Sequence, residues 1–137
     1  MKRKWVPQAT YLVPLGRIAV FYVPARKMVD SKFGRDGQTP TEIFDKFFLE
    51  NFRGLTHEES QIRGEWISED NQKVFTDRHQ RYEVSFSGPA QGDQLLRFLA
   101  EMCDMLHEES IYLTIGSHSW LVTPLSKQTS VDPAHPA

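Results

Sequence analysis

Apolar residues recur along this chain in two rhythms: alternating or continuous in some stretches, every third or fourth position in others. The first rhythm predicts strands and the second helices. Gly16 to Pro24 is rich in β-formers, with Ile18, Val20, Phe21, Tyr22 and Val23. Both parities are apolar there, which predicts a central strand covered on both faces, and Pro24 stops it. Ser60 to Ile67 reads as a strand with Ile62 and Trp66 on one face. Arg81 to Ser87 alternates, setting Tyr82, Val84 and Phe86 against Arg81, Glu83 and Ser85. With the polar turn Ser68 to Lys73 and the short extension Val74 to Asp77, these runs predict a long antiparallel hairpin. Ser110 to Ile115 is a further strand, and Trp120 to Thr123 a short edge strand.

Two segments carry the helical rhythm. Thr39 is placed as an N-cap, Pro40 at the first helical position and Glu42 as the partner of a capping box. Ile43, Phe44, Phe47, Phe48 and Phe52 then form one stripe, and Gly54 reads as a left-handed stop. Gly88, Pro89 and Gly92 mark a break before a second helix from Asp93 to His107, with Leu95, Leu96, Leu99, Met102, Cys103 and Leu106 on its buried side. Ala25 to Gln38 shows no periodicity and reads as a long loop.

The order β-α-β-β-α-β with an appended strand predicts an α+β, ferredoxin-like sandwich, an antiparallel sheet with two helices on one face. His57-Glu58-Glu59-Ser60 recurs as His107-Glu108-Glu109-Ser110, as the pseudo-twofold symmetry of such a fold would allow. Residues 1–14 read as an extended arm, 15–124 as the single domain, and 125–137 as a disordered tail.

Composition changes this picture little. Hydrophobic residues are 39% and charged residues 25% of 137, enough for one core without disulfides or a structural metal. The net charge is −2 and the pI about 6.2, which disfavours nucleic acid as a partner. The basic residues that remain for such a contact are Lys2, Arg3 and Lys4 in the arm and Lys27, Lys32 and Arg35 in the loop. The single cysteine, Cys103, forbids an internal disulfide and reads as a buried thiol. No stretch is long enough to span a bilayer or to act as a signal peptide, so the expected compartment is the cytoplasm, without membrane contact. The spacing of His and carboxylates matches no metal motif, and no metal or cofactor is expected. The Phe33-Gly34-Arg35-Asp36-Gly37-Gln38 run lacks the ending of a phosphate loop, and no Gly-x-Ser-x-Gly elbow exists.

The sheet face away from the helices carries the candidate chemistry. Parity assigns Phe21, Arg63, Glu65, Glu83, Tyr112 and Thr114 to it, with Arg81 and Ser85. Three uses compete. As an interface it makes the chain a non-enzymatic oligomerisation or protein-interaction module, with a second copy or another protein as partner. As a pocket wall it makes the chain a small-molecule enzyme of the α+β-barrel type, with Glu65 or Glu83 as acid–base and Arg63 or Arg81 as anion holder. As a stacking platform it would bind RNA. The interface needs no special residue and is the first reading, so catalysis is not expected.

Phe52-Arg53-Gly54-Leu55-Thr56, Gly64-Glu65-Trp66 and Glu108-Glu109-Ser110-Ile111-Tyr112-Leu113 form a pattern that spans roughly Gly16 to Val122. In it the chain resembles a loose family of short, uncharacterised α+β proteins of bacteria, archaea and mobile elements. The resemblance implies a ferredoxin-like fold and brings no catalytic residues with it. The basic arm and the longer first loop depart from the family pattern.

Overall fold

The computed structural model describes Val6, residues 10–67 and residues 72–128, without the side chains of Trp66, Phe75 and Gln128. The β-rich run Arg17–Pro24 forms strand β1, and the chain turns directly into a short helix α1, Ala25–Met28. A 3-10 turn over Ser31–Phe33 leads to helix α2, Pro40–Asn51. Strands β2, Thr56–Ile67, and β3, Val74–Phe86, make the hairpin. Helix α3, Gly88–Leu106, strands β4, Ile111–Ile115, and β5, His118–Val122, and a short helix α4, Leu125–Gln128, complete the described residues. The fold is α+β. Its five strands are all antiparallel, in the order β2-β3-β1-β4-β5.

Strand periodicity decides which side chains meet the helices. Ala19, Phe21 and Val23 of β1 point the same way as Tyr82, Val84 and Phe86 of β3 and Ile111 and Leu113 of β4, and all are buried. Phe44 and Phe48 of α2 and Leu95, Phe98, Leu99 and Met102 of α3 close over them. Phe21 stacks on Tyr82 with ring centroids 5.1 Å apart and lies 5.6 Å from Phe48. Each such ring contributes about 1.5–3 kcal/mol by leaving water.

Several expectations need correction. β1 is central in the sheet, but only one of its faces is covered, since Ile18 is 53% exposed. The supposed loop at 25–38 is largely ordered by the core. Met28 is fully buried, and Lys27 reaches across to the end of α3. There Lys27 Nζ donates to Leu106 O at 2.7 Å and pairs with Glu108, capping the helix from outside. Its ammonium also sits 5.1 Å from the Phe33 ring centroid. The capping box of Thr39 and Glu42 forms as expected. Gly54 is not left-handed; α2 ends instead with Phe52 in extended backbone. It is His107, at φ 54°, that closes α3 in the left-handed region. Gly88 and Pro89 open α3 rather than precede it, because proline in the first turn loses no helical hydrogen bond. The two His-Glu-Glu-Ser copies are not equivalent. The first lies inside β2, whereas the second begins at the α3 cap. Part of the expected tail, Leu125–Gln128, is helical, and residues 129–137 lie outside the described residues.

Candidate functional site

The strand register assembles one polar and aromatic group on the open face of the sheet. Tyr22 pairs with Arg81, Val20 with both Glu83 and Thr114, and Ile18 with Ser85. From β2, Thr56 lies opposite Glu83 and Glu58 opposite Arg81. Partners directly across a ladder share a face, so these side chains point away from α2 and α3. Arg81 Nη2 donates to Glu83 Oε1 at 2.9 Å. That bond and the neighbouring Tyr22 hydroxyl hold the guanidinium pKa above its usual value. The rings of Tyr22 and Tyr112 lie 5.9 Å apart at 39°. Tyr112 is 45% exposed, while Tyr22, Val20 and Thr114 are half-buried. The face thus offers two adjacent rings, an apolar strip and a carboxylate fixed by a guanidinium.

Of the residues expected on this face, Arg81, Glu83, Tyr112 and Thr114 come together. Phe21 does not. It is fully buried on the helix side, because the first strand runs one residue out of the assumed parity. Arg63 and Glu65 do not join either. A register shift between Glu58 and Ile62 sets Arg63 opposite Arg78 and Glu65 opposite Thr76, the parity of Tyr82. They lie on the part of the hairpin that runs past Pro24↔His79, the end of the β1–β3 pairing, and bond to each other at 2.6 Å. The basic residues of the loop each have local partners. Lys27 is buried and committed to the end of α3, Lys32 sits by Asp30 and the Phe33 ring, and Arg35 lies on a turn closed by its bridge to Gln38. Lys2, Arg3 and Lys4 lie outside the described residues.

Two further features escaped sequence reasoning. One is a groove of about 400 Å³ between α2 and α3. Its floor includes Phe47 and Phe98, stacked with centroids 3.7 Å apart, and its rim includes Lys46, Glu50, Arg97 and Glu101. The other is a polar network where α2 meets the hairpin. His57 lies flat on Tyr82 at 4.1 Å and bonds through Nε2 to Gln80 Oε1 at 2.8 Å. Gln80 Nε2 donates to Glu59 O at 3.2 Å, and the Tyr82 hydroxyl donates to Asp45 Oδ1 at 3.4 Å. Burial raises the pKa of the Asp45 carboxyl, opposed by His57. Burial also pushes the Tyr82 phenol well above its usual value, helped by the Asp45 charge. The only sequence signal was a polar residue on an apolar stripe, Asp45 between Phe44 and Phe48.

Cys103 is buried, donates to Val122 O at 3.2 Å, and has its thiol pKa pushed up to about 12 by burial. A thiol so placed is held in its protonated form at neutral pH. No group of three or more metal-binding side chains occurs among the described residues. No described helix is long and apolar enough to cross a membrane.

No protein-family profile matches the chain, and no curated protein matches it. Two solved structures of a phage SAM lyase do. The first, in complex with S-methyl-5'-thioadenosine, is 11% identical with a TM-score of 0.57, covering 85% of this chain and 96% of that one. The second, in the apo state, is 12% identical with a TM-score of 0.51, covering 86% and 98%. At these identities the likeness is one of fold. It overturns the first functional reading, a non-enzymatic oligomerisation or interaction module, because the proteins that share this architecture nearly end to end are an enzyme.

Proposed function

We propose that this chain is an enzyme that cleaves S-adenosylmethionine or a closely related sulfonium nucleoside, and that the open sheet face around Tyr22, Arg81, Glu83 and Tyr112 is its substrate site. The observation that carries the reading is the near end-to-end likeness to a lyase of that substrate. The architecture we assign is ferredoxin-like. The inner order β2-β3-β1-β4, with a helix in each crossover, supports it.

The chemistry suits a face with no evident acid–base pair. S-methyl-5'-thioadenosine is what remains of S-adenosylmethionine once the bond from sulfur to the amino-acid γ-carbon is broken. The leaving group is a neutral thioether. It departs with the bonding electron pair and takes no proton, so no general acid is required. The substrate's own carboxylate is the nucleophile in reach of that carbon, and its attack closes a lactone. Opposite charges cancel as the reaction proceeds, so apolar surface such as Ile18, Val20 and the two rings favours it where bound substrate displaces water from them. The Tyr22 and Tyr112 rings attract the sulfonium cation in the ground state. Glu83, fixed by Arg81, presents a carboxylate to the substrate ammonium.

The test is incubation of the purified protein with S-adenosylmethionine and quantification of S-methyl-5'-thioadenosine by mass spectrometry. Formation above the spontaneous rate, lowered by Glu83→Gln, is expected. Formation at the spontaneous rate alone would refute the activity.

A further inference from the structure

The open face does not stop at Tyr112. A two-residue turn, Gly116 and Ser117, joins β4 to β5, and Gly116 takes the positive φ, 60°, that such a turn asks of its first residue. The tight turn fixes the register, setting Leu121 opposite Tyr112 and Ser119 opposite Thr114. Directly opposed residues share a face, so Leu121 and Ser119 extend the surface that carries Tyr22, Arg81 and Glu83. Leu121 is 64% exposed, on a strand with a ladder partner on one side only among the described residues. Neither the Thr114 nor the Ser119 hydroxyl has a hydrogen-bond partner among the described residues.

The chemistry of the face changes in one direction across the strands. At β3 it holds the Arg81–Glu83 pair, bonded at 2.9 Å. On β1 and β4 it holds the Tyr22 and Tyr112 rings, 5.9 Å apart. At β5 it holds an aliphatic side chain and a hydroxyl, with no charge. From β3 to β5 is three strand spacings, about 14 Å, room for the two ends of an extended S-adenosylmethionine to rest on different strands. That molecule carries its groups in the same order: ammonium and carboxylate, then sulfonium, then uncharged ribose and a flat base. A charged end set against Leu121 would lose hydration without a partner. A base set there gains by leaving water between a ring and an aliphatic side chain.

We propose that the β4–β5 hairpin is the nucleoside half of the substrate site, with the base against Tyr112 and Leu121 and the ribose hydroxyls bonded to Thr114 and Ser119. The sulfonium then lies by the two tyrosine rings and the amino-acid end over Glu83 and Arg81. β5 thereby selects nucleoside sulfonium compounds over S-methylmethionine, which has the same sulfonium and amino acid but neither base nor ribose. The assignment rests on the substrate reading given above.

Titration of the isotopically labelled full chain with adenosine, followed by amide shifts, tests it. Adenosine has no sulfur and no amino acid, so it reads the nucleoside half alone. Shifts at Tyr112, Thr114, Ser119 and Leu121 should saturate together, with smaller changes at Arg81 and Glu83. Leu121→Asp should weaken adenosine binding about tenfold, and Ser119→Ala about fivefold, the size of one neutral hydrogen bond. Both positions lie on an exposed edge, and unchanged urea midpoints would show that the variants fold. No saturable binding, shifts away from β5, or undiminished affinity in both variants would overturn the assignment. Any of these results alongside cleavage of S-adenosylmethionine would leave the activity standing and place the base elsewhere. Adenosine bound on β5 without cleavage would support the nucleoside half-site and refute the activity.

Discussion

The two faces of the sheet are made by alternate residues of the same strands, and they do different work. On the helix side, Phe21, Tyr82 and Leu113 are fully buried beneath α2 and α3. On the open side, their neighbours Tyr22, Arg81, Glu83 and Tyr112 keep rings and charges at least partly in solvent. The first set is fixed by packing, where loss of a methylene leaves a cavity. The second is placed by register and held by the Arg81–Glu83 bond and the Tyr22–Tyr112 ring contact, without a layer packed over it. Adjacent positions should therefore respond oppositely to substitution.

Phe21→Ala should break this contrast most severely. Loss of a ring that stacks on Tyr82 and lies beside Phe44 and Phe48 should cost about 3–5 kcal/mol in urea denaturation. Lys27→Met keeps the buried stem but strips the cap from α3 and leaves Glu108 unpaired. We expect a loss of about 2–3 kcal/mol by the same measurement. Tyr112→Ala should cost under about 1 kcal/mol of stability yet raise the KM for S-adenosylmethionine about tenfold, the size of one lost cation–ring contact to the ground-state sulfonium. Thr39→Ala removes the N-cap of α2 and should cost about 1 kcal/mol wherever the core is intact.

The smallest effect is the most diagnostic of sign. Burial raises the folded-state pKa of Asp45. Its protonated form is the one folding favours, so its contribution is present at low pH and is lost as pH rises through the folded pKa. At neutral pH the ionised group is a cost. Asp45→Asn should thus raise stability slightly at pH 8, by about a few tenths of a kcal/mol for so incompletely buried a group, read as a small rise in melting temperature, and should give no gain near pH 3.

The clean alternation at Tyr82, Val84 and Phe86 made β3 legible in the sequence, and the Thr39, Pro40 and Glu42 triplet made the start of α2 legible. Both signals are local. The face of β1 was not legible, because Ile18, Val20 and Tyr22 are as apolar as Ala19, Phe21 and Val23, so its parity depends on what covers it. Arg63 and Glu65 were misplaced because the shift after Glu58 is a tertiary event with no marker in the chain. Lys27 read as a loop cation because its partners, Leu106 and Glu108, lie about eighty residues away. Alternation alone put Arg81 and Glu83 on one face, but their pairing along a single strand, rather than across strands, needed the structure. The Tyr22–Tyr112 ring pair needed the β1–β4 register.

The most direct test of the central claim is titration of the isotopically labelled protein with S-methyl-5'-thioadenosine, followed by amide and tyrosine ring shifts in NMR spectra. The substrate-face account predicts changes centred on Tyr22, Arg81, Glu83 and Tyr112, saturating together. Changes confined to the Lys46 and Arg97 groove between the helices, or none at all, would contradict it.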